Sequence, residues 1–259
     1  MLYSEKESNL IEFFQSMCNQ EICLFPVSDD TERIVSLLRD PDNWKKWIDS
    51  SDKKSPPPDF YCDEFSLMME VMRVDDHGRK PHGNIVNPTY EREHIIEREL
   101  MENGLYGFFP KLKRVYINAK TDLPTLEDHN YSFYLENFRR TIEKHVSHIP
   151  NYKKNHPGYK LIFFIFDESS AYVEKGNEPR VIKGETVAIC QQHWFFADKA
   201  FTDCFMDSDI DYVVWCAPFK YLTALCGDPI QVHAAVIDIK ATCFKAKEYD
   251  ALKMMSAEE

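Results

Sequence analysis

Two hydrophobic periods alternate along the chain. In SEKESNLIEFFQSMCNQ, Leu10, Ile11, Phe13, Phe14 and Met17 share one helical face. Ser4 stands at the cap position and Glu7 at the capping-box position, so a first helix is predicted over 4–19. EICLFPV (21–27) reads as a strand. DDTERIVSLLRD then returns to the helical period, with Ile34, Val35, Leu37 and Leu38 inward. DPDNWKKWID predicts a short helix with Trp44 and Trp47 on one side. After the polar, proline-rich SSDKKSPPP come two short strands, PDFYC and LMMEVMRV, joined by the turn DEFS. DDHGRKPHGNIVNP is a polar loop. TYEREHIIERELMENG is the clearest helix, with Thr89 at its cap and Asn103-Gly104 as its stop. KRVYINA (113–119) is strand-like, and YSFYLENFRRTIEKHVSHI (131–149) is a long amphipathic helix that NYKKNHPGY should break.

The second half is richer in strands. KLIFFIFD (160–167) is almost continuously apolar, as suits a strand buried on both faces. HWFFAD (193–198), DYVVWCAP (211–218) and VHAAVIDIKA (232–241) look similar, with a short helix at DKAFTDCFMD and a low-complexity MMSAEE tail. Strands interleaved with helices predict an α/β or α+β fold with a mixed central sheet flanked by helices. The second half lacks the helices to cover its own strands. One domain over 1–259 is therefore expected, not two split at 120–130.

Composition narrows the picture. At 259 residues, with 44% hydrophobic and 14% aromatic residues, the chain can build a large core. Only 8 glycines occur, and neither GxGxxG nor GxxxxGK[ST] is present, which argues against a glycine-rich phosphate loop. A net charge of −12 lacks the basic footprint of most nucleic-acid binders and suits a protein or small-molecule partner as well. The 8 cysteines form no CxxC pair, sit mostly in apolar runs, and read as free, buried thiols in a reducing compartment. The charged N-terminus is unlike a signal peptide, and no apolar run approaches the roughly 20 residues of a membrane span, so a cytoplasmic protein with no membrane association is expected.

The chemistry candidate lies in PPPDFYCDEFSLMMEVMRVDDH (56–77). Alternation along the second strand puts Ser66, Met68, Glu70, Met72 and Val74 on one face. A carboxylate among apolar side chains requires a partner or a metal. Asp59 sits on the partner strand, where it can converge with Glu70. Two carboxylates and a strand carbonyl, that of Val71, form a ligand set for Mg2+ or Mn2+. Such an ion can activate water against a phosphodiester. The structural alternative has Asp59 merely opening a strand and Glu70 bonded to an arginine of the next helix, Arg92 or Arg98.

Pro58-Asp59, ten residues, then Glu70-Val71-Met72 resembles the PD-(D/E)XK nuclease superfamily, and the hairpin resembles that of its very-short-patch-repair-like branch. The resemblance implies an α-βββ-α-β core over about 1–120, with the helix at 4–19 or 31–40 leading and 89–103 and 113–119 as its last helix and strand. A strand-rich extension over about 130–250 would follow. Asp59 and Glu70 would be catalytic, and with Val71 they would bind the metal for Mg-dependent cleavage of DNA or RNA. The motif's lysine is replaced by Met72. Arg73 faces the other way, leaving Lys80, Lys111 or Lys113 as substitutes. The missing lysine and the acidic charge also fit a non-catalytic interaction protein on the same fold, an accessory or immunity-type factor. A nucleotide or small-molecule sensor is a third reading.

Three lesser candidates stand beside this pair. Asp75, Asp76, His77 and His82 share one polar loop that reads first as solvated, with a transition-metal ligand set as the lesser alternative. Asp238 and Lys240 spell D-x-K but lack a suitably spaced upstream Asp. FDESSAY (166–172) lacks the glycine-flanked elbow that exposes a nucleophilic serine and reads as a capped strand end.

Overall fold

The computed structural model describes residues 7–51, 58–78, 88–109, 128–176, 180–182, 185–187, 190–217, 220 and 233–257. The apolar run at 160–167 is the middle of its main sheet. This strand, β5 (Lys160–Asp167), is buried along all but its first residue. Its side chains divide by parity. Leu161, Phe163 and Ile165 enter one core, and Ile162, Phe164 and Phe166 enter another on the opposite face. Each buried Phe contributes about 1.5–3 kcal/mol of hydrophobic free energy, so the run holds two layers at once.

The remaining strands of this sheet are β1 (Ile22–Phe25), β2 (Ile48–Asp49), β3 (Phe60–Cys62), β4 (Leu67–Val74), β10 (Tyr212–Cys216) and β11 (Ala234–Asp238). The seven run in the order β1-β11-β10-β5-β4-β3-β2. β4, β5 and β10 are mutually parallel. β2, β3 and β4 form an antiparallel meander, and β11 is antiparallel to β10 but parallel to β1. The sheet is therefore mixed, flanked by helices, and built from both halves of the chain. Smaller strands form two side sheets. β6 (Tyr172–Lys175) lies between β9 (Cys190–Gln192) and β12 (Met254–Ser256), and β7 (Arg180–Ile182) pairs with β8 (Glu185–Val187).

Helices cover each face for the reason their periodicity indicates. α1 (Glu7–Gln15) and α2 (Asp29–Arg39) lay Leu10, Phe14, Ile34 and Leu38 against Met69, Val71 and Phe164. Ser28 caps α2, its hydroxyl accepting the Thr31 N–H. α3 (Pro41–Trp44) follows with proline at its start and Asp40 as cap, and brings Trp44 against Trp47 at 5.7 Å. α4 (Pro88–Glu102) ends at Asn103-Gly104, where Gly104 takes a φ of +75° that suits glycine, and α5 (Leu105–Phe108) follows. On the other face lies α6 (Tyr131–Asn155), capped by Asn130, whose Tyr134, Phe138, Ile142, Ile149 and Tyr152 pack on Met68, Met72 and Phe163. A short α7 (Lys199–Thr202) completes that layer.

Three expectations are corrected. α6 does not end at 149 but runs through Pro150 to Asn155, because another turn buries Tyr152 against the sheet. HWFFAD is not a strand: Phe195–Ala197 form a 3-10 turn whose aromatic rings cluster on Trp215. The MMS of the tail is not low-complexity coil but β12, paired with β6. The first-helix cap Ser4 and the expected strand at 113–119 lie outside the described residues. No helix among the described residues is long and apolar enough to cross a membrane. Seven described cysteines are free, as expected, though only Cys62 and Cys216 are buried.

Candidate functional site

The β3–β4 hairpin forms as its sequence indicates, with the turn at 63–66 closing on Ser66 at φ 51°. Its register pairs Phe60 with Met69, Tyr61 with Met68 and Cys62 with Leu67. Extended by one pair, that register sets Asp59 opposite Glu70. Alternation puts Met68, Met72 and Val74 in the core under α6, and Glu70 shares their face.

Asp59 is half-buried, and its Oδ2 accepts the Val71 backbone N–H at 2.7 Å. This bond also fixes the strand edge. The carbonyls of Ser66 and Val74 accept N–H groups from the β5 side, so the even residues of β4 bond toward β5. Val71 therefore turns both N–H and C=O toward Asp59, beyond the end of β3.

Glu70 is buried, and its Oε1 lies 2.7 Å from Nδ1 of His145, projected from the middle of α6. Its Oε2 is buried and has no hydrogen-bond partner among the described residues. The surroundings register this charge. The Asp59 carboxyl is pushed up to about 7, first by burial and then by Glu70, against the opposing Val71 N–H bond. The Tyr152 hydroxyl is raised by burial and then by Glu70.

The structure thus joins Asp59, Glu70 and Val71 in one place and adds two residues not anticipated, His145 and Tyr152. The i, i+7 spacing of these two on one face of α6 was the available signal, but nothing in the sequence tied that face to β4. The expected arginine partners are absent from the site: the partner of Glu70 is His145, while Arg92 and Arg98 are exposed on α4. Met72 is buried in the core, and Arg73 points away and pairs with Glu168 at 2.9 Å. Lys80, Lys111 and Lys113 lie outside the described residues.

The lesser candidates separate. Asp238 caps the turn after β11 through the N–H groups of Lys240 and Ala241, and Lys240 reaches Asp211 at 2.6 Å, which is a structural arrangement. Ser169 and Asp167 of FDESSAY are fully buried. Asp167 accepts bonds from the Tyr134 hydroxyl (2.6 Å), the Trp215 indole N–H (2.8 Å) and Ser169 Oγ (2.6 Å), with Lys220 Nζ at 3.3 Å. Lys220 also donates to Ser169 at 2.6 Å. A serine sealed in this way cannot meet a substrate. In the polar loop, Asp75 holds Asn137, and Asp76 accepts the Tyr172 hydroxyl and the Ser170 N–H. His82 lies outside the described residues.

Compared with known proteins, the chain has no significant match to a family model, a curated protein or a solved structure.

Proposed function

We propose that the chain is a divalent-metal-dependent phosphodiester hydrolase of the nuclease-like kind, with Asp59 and Glu70 as its acidic ligands and DNA or RNA as its substrate. One observation carries this reading: two opposed carboxylates, one with a buried oxygen that has no hydrogen-bond partner among the described residues and the other pushed toward neutrality first by burial and then by its neighbour. Like charges this close are relieved by a proton or by a cation. The donors here are two carboxylate oxygens and the Val71 carbonyl, a hard-oxygen set that fits Mg2+ or Mn2+. Further support comes from the order α2-β2-β3-β4-α6-β5, a three-stranded meander, a helix and a fourth strand parallel to the third. The PD-(D/E)XK core resembled by the hairpin has this order, although α4 and α5 intervene here.

When bound, the ion would supply Lewis acidity to a phosphoryl oxygen and to water. The protein's own contributions follow from the geometry. Asp59 is held by the Val71 N–H, which leaves its Oδ1 for the ion. Glu70 is oriented by His145 and keeps Oε2 available. With Nδ1 engaged, His145 has Nε2 to accept a proton, in a region where Met72 supplies none. A reducing, cytoplasmic setting goes with this reading, since the described cysteines are free thiols.

Incubating the full chain with single- and double-stranded DNA and with RNA, in Mg2+ or Mn2+, tests the proposal. Cleavage that disappears in Asp59→Asn and in Glu70→Gln is expected. No cleavage by wild type, with Glu70→Gln changing only stability, would overturn it. That outcome is also the signature of the second reading, a non-catalytic interaction protein, which the buried Met72 and the −12 charge favour.

A further inference from the structure

The chain after β4 and the chain before α6 meet at a second polar cluster. His77 and His129 form an isolated antiparallel bridge, with their rings edge to face at 6.0 Å. Asp128 lies between them. Its Oδ2 is 3.3 Å from His129 Nδ1, and its Oδ1 is 3.7 Å from His77 Nδ1. One donor atom from each of the three falls within 4.8 Å of the others. The His77 Nδ1 is buried and makes no hydrogen bond among the described residues.

We propose that His77, Asp128 and His129 bind a first-row transition ion of the Zn2+ class. The geometry and the donor chemistry both lead there. Bonds of about 2.0–2.1 Å at a tetrahedral angle set ligand atoms roughly 3.3 Å apart. The Asp128 oxygens stand at 3.3 and 3.7 Å from the two imidazoles and all three donors lie within 4.8 Å, so the ligands close on an ion by drawing in by about 1.5 Å at most. Two imidazoles and one carboxylate select zinc-like ions over Mg2+. The outer nitrogens are also placed: His129 Nε2 faces Ser256 Oγ at 3.4 Å, and His77 Nε2 faces Asp76 Oδ1 at 3.9 Å. Asp76 is itself fixed by Tyr172 and Ser170. Such outer partners hold a ligating ring in orientation. His77 keeps 19% of its side chain exposed, which gives water a path to the fourth position.

This is not a second ion of the Asp59–Glu70 site. β4 runs four residues beyond Glu70 before the chain reaches His77, roughly 13 Å at strand rise, whereas paired catalytic ions sit about 4 Å apart. The ion's place in the fold defines its role. The Gly78 N–H donates to the Asp128 carbonyl at 3.1 Å, and the Asn130 N–H donates to that of Asp76 at 3.3 Å. The ion would fasten the two ends of the excursion 79–127, and so hold β4 and α6 together where that excursion leaves and rejoins.

The test is metal binding by the full chain after chelator treatment and dialysis. Expected are one Co2+ per chain in Asp59→Asn, where the hydrolase site is removed, with visible d–d bands of tetrahedral intensity, displacement by Zn2+, and a thermal midpoint raised by roughly 5 °C at Zn2+ well above Kd. His77→Gln and Asp128→Asn should each weaken binding about 10–100-fold. Asp59→Asn should leave it unchanged, so that failure here is distinguishable from failure of the proposed hydrolase. Since poor folding of a variant would mimic lost binding, X-ray absorption of the Zn2+-loaded wild type provides a second measurement, with two imidazoles expected around the ion. Absence of stoichiometric binding at micromolar ion, binding indifferent to both variants, or an ion without imidazole around it would each overturn the proposal.

Discussion

Glu70 and Asp167 stand on adjacent parallel strands, face the same layer under α6, and are both buried. They could hardly be treated more differently. Asp167 receives a tyrosine hydroxyl, an indole N–H, a serine hydroxyl and a serine N–H, and a buried lysine lies beside it. Glu70 is met by one imidazole and by the Tyr152 hydroxyl, its Oε2 makes no bond at hydrogen-bond distance among the described residues, and a second carboxylate stands opposite. A buried acid serving structure has its lone pairs filled by the fold itself. An acid with an oxygen left over and a like charge across the strand leaves room for a cation, which is what the proposed function would use. Saturation of the carboxylate, more than its burial, separates the two regions.

The comparison can be broken most forcefully at Asp167. Asp167→Ala strands Lys220 without its counter-charge and is expected to lower stability by about 3–5 kcal/mol. Glu70→Gln should stay within about 1 kcal/mol of wild type. Urea denaturation of the two variants decides this, and equal losses would erase the distinction. Next in size is catalysis. Under the proposed function, Asp59→Asn and Glu70→Gln each reduce phosphodiester cleavage at least about 100-fold with the fold intact by circular dichroism.

A third expectation concerns pH without metal. Asp59 has a folded value of about 7 against an ordinary 3.8, so the native state holds this proton more tightly than the unfolded chain. Stability from this group is therefore present at low pH and lost as pH rises from about 4 through 7. The full shift would amount to about 4 kcal/mol, and roughly 1–2 kcal/mol is expected after discounting for solvent access. In chelator, Asp59→Asn should flatten that decline. In Mg2+ or Mn2+ at pH 8, wild type should recover stability and Asp59→Asn should not, as thermal melts will show. The smallest effect belongs to His145→Ala, which removes one bond to Glu70 and should lower stability by about 1 kcal/mol. A loss as large as that of Asp167→Ala would make His145 a structural counter-ion of Glu70.

Local pattern made much of this legible. The two-faced β5, the capped α2 and the hairpin from 60 to 74 follow from period and turn residues alone, and the hairpin brought Asp59 and Glu70 together. The partner of Glu70 was not legible, because His145 lies 75 positions away and meets β4 only through the packing of α6. The long apolar spacing of α6 outweighed the break implied by Pro150. The reverse happened at 193–198, where an aromatic run with strand character was folded into a turn by the rings it packs against. His77 drew notice with Asp75, Asp76 and His82, but Asp128 and His129 join it from 51 and 52 positions on, a pairing that no spacing rule reports.

The bridge between His77 and His129 bears on how such a chain can change over time. Because positions 78 and 128 meet backbone to backbone, the chain leaves the β4 end and returns toward α6 at one place, on either side of the intervening stretch. A gene that lost that stretch and spliced a short linker in its place would still encode the β4-to-α6 crossover and the seven-stranded sheet.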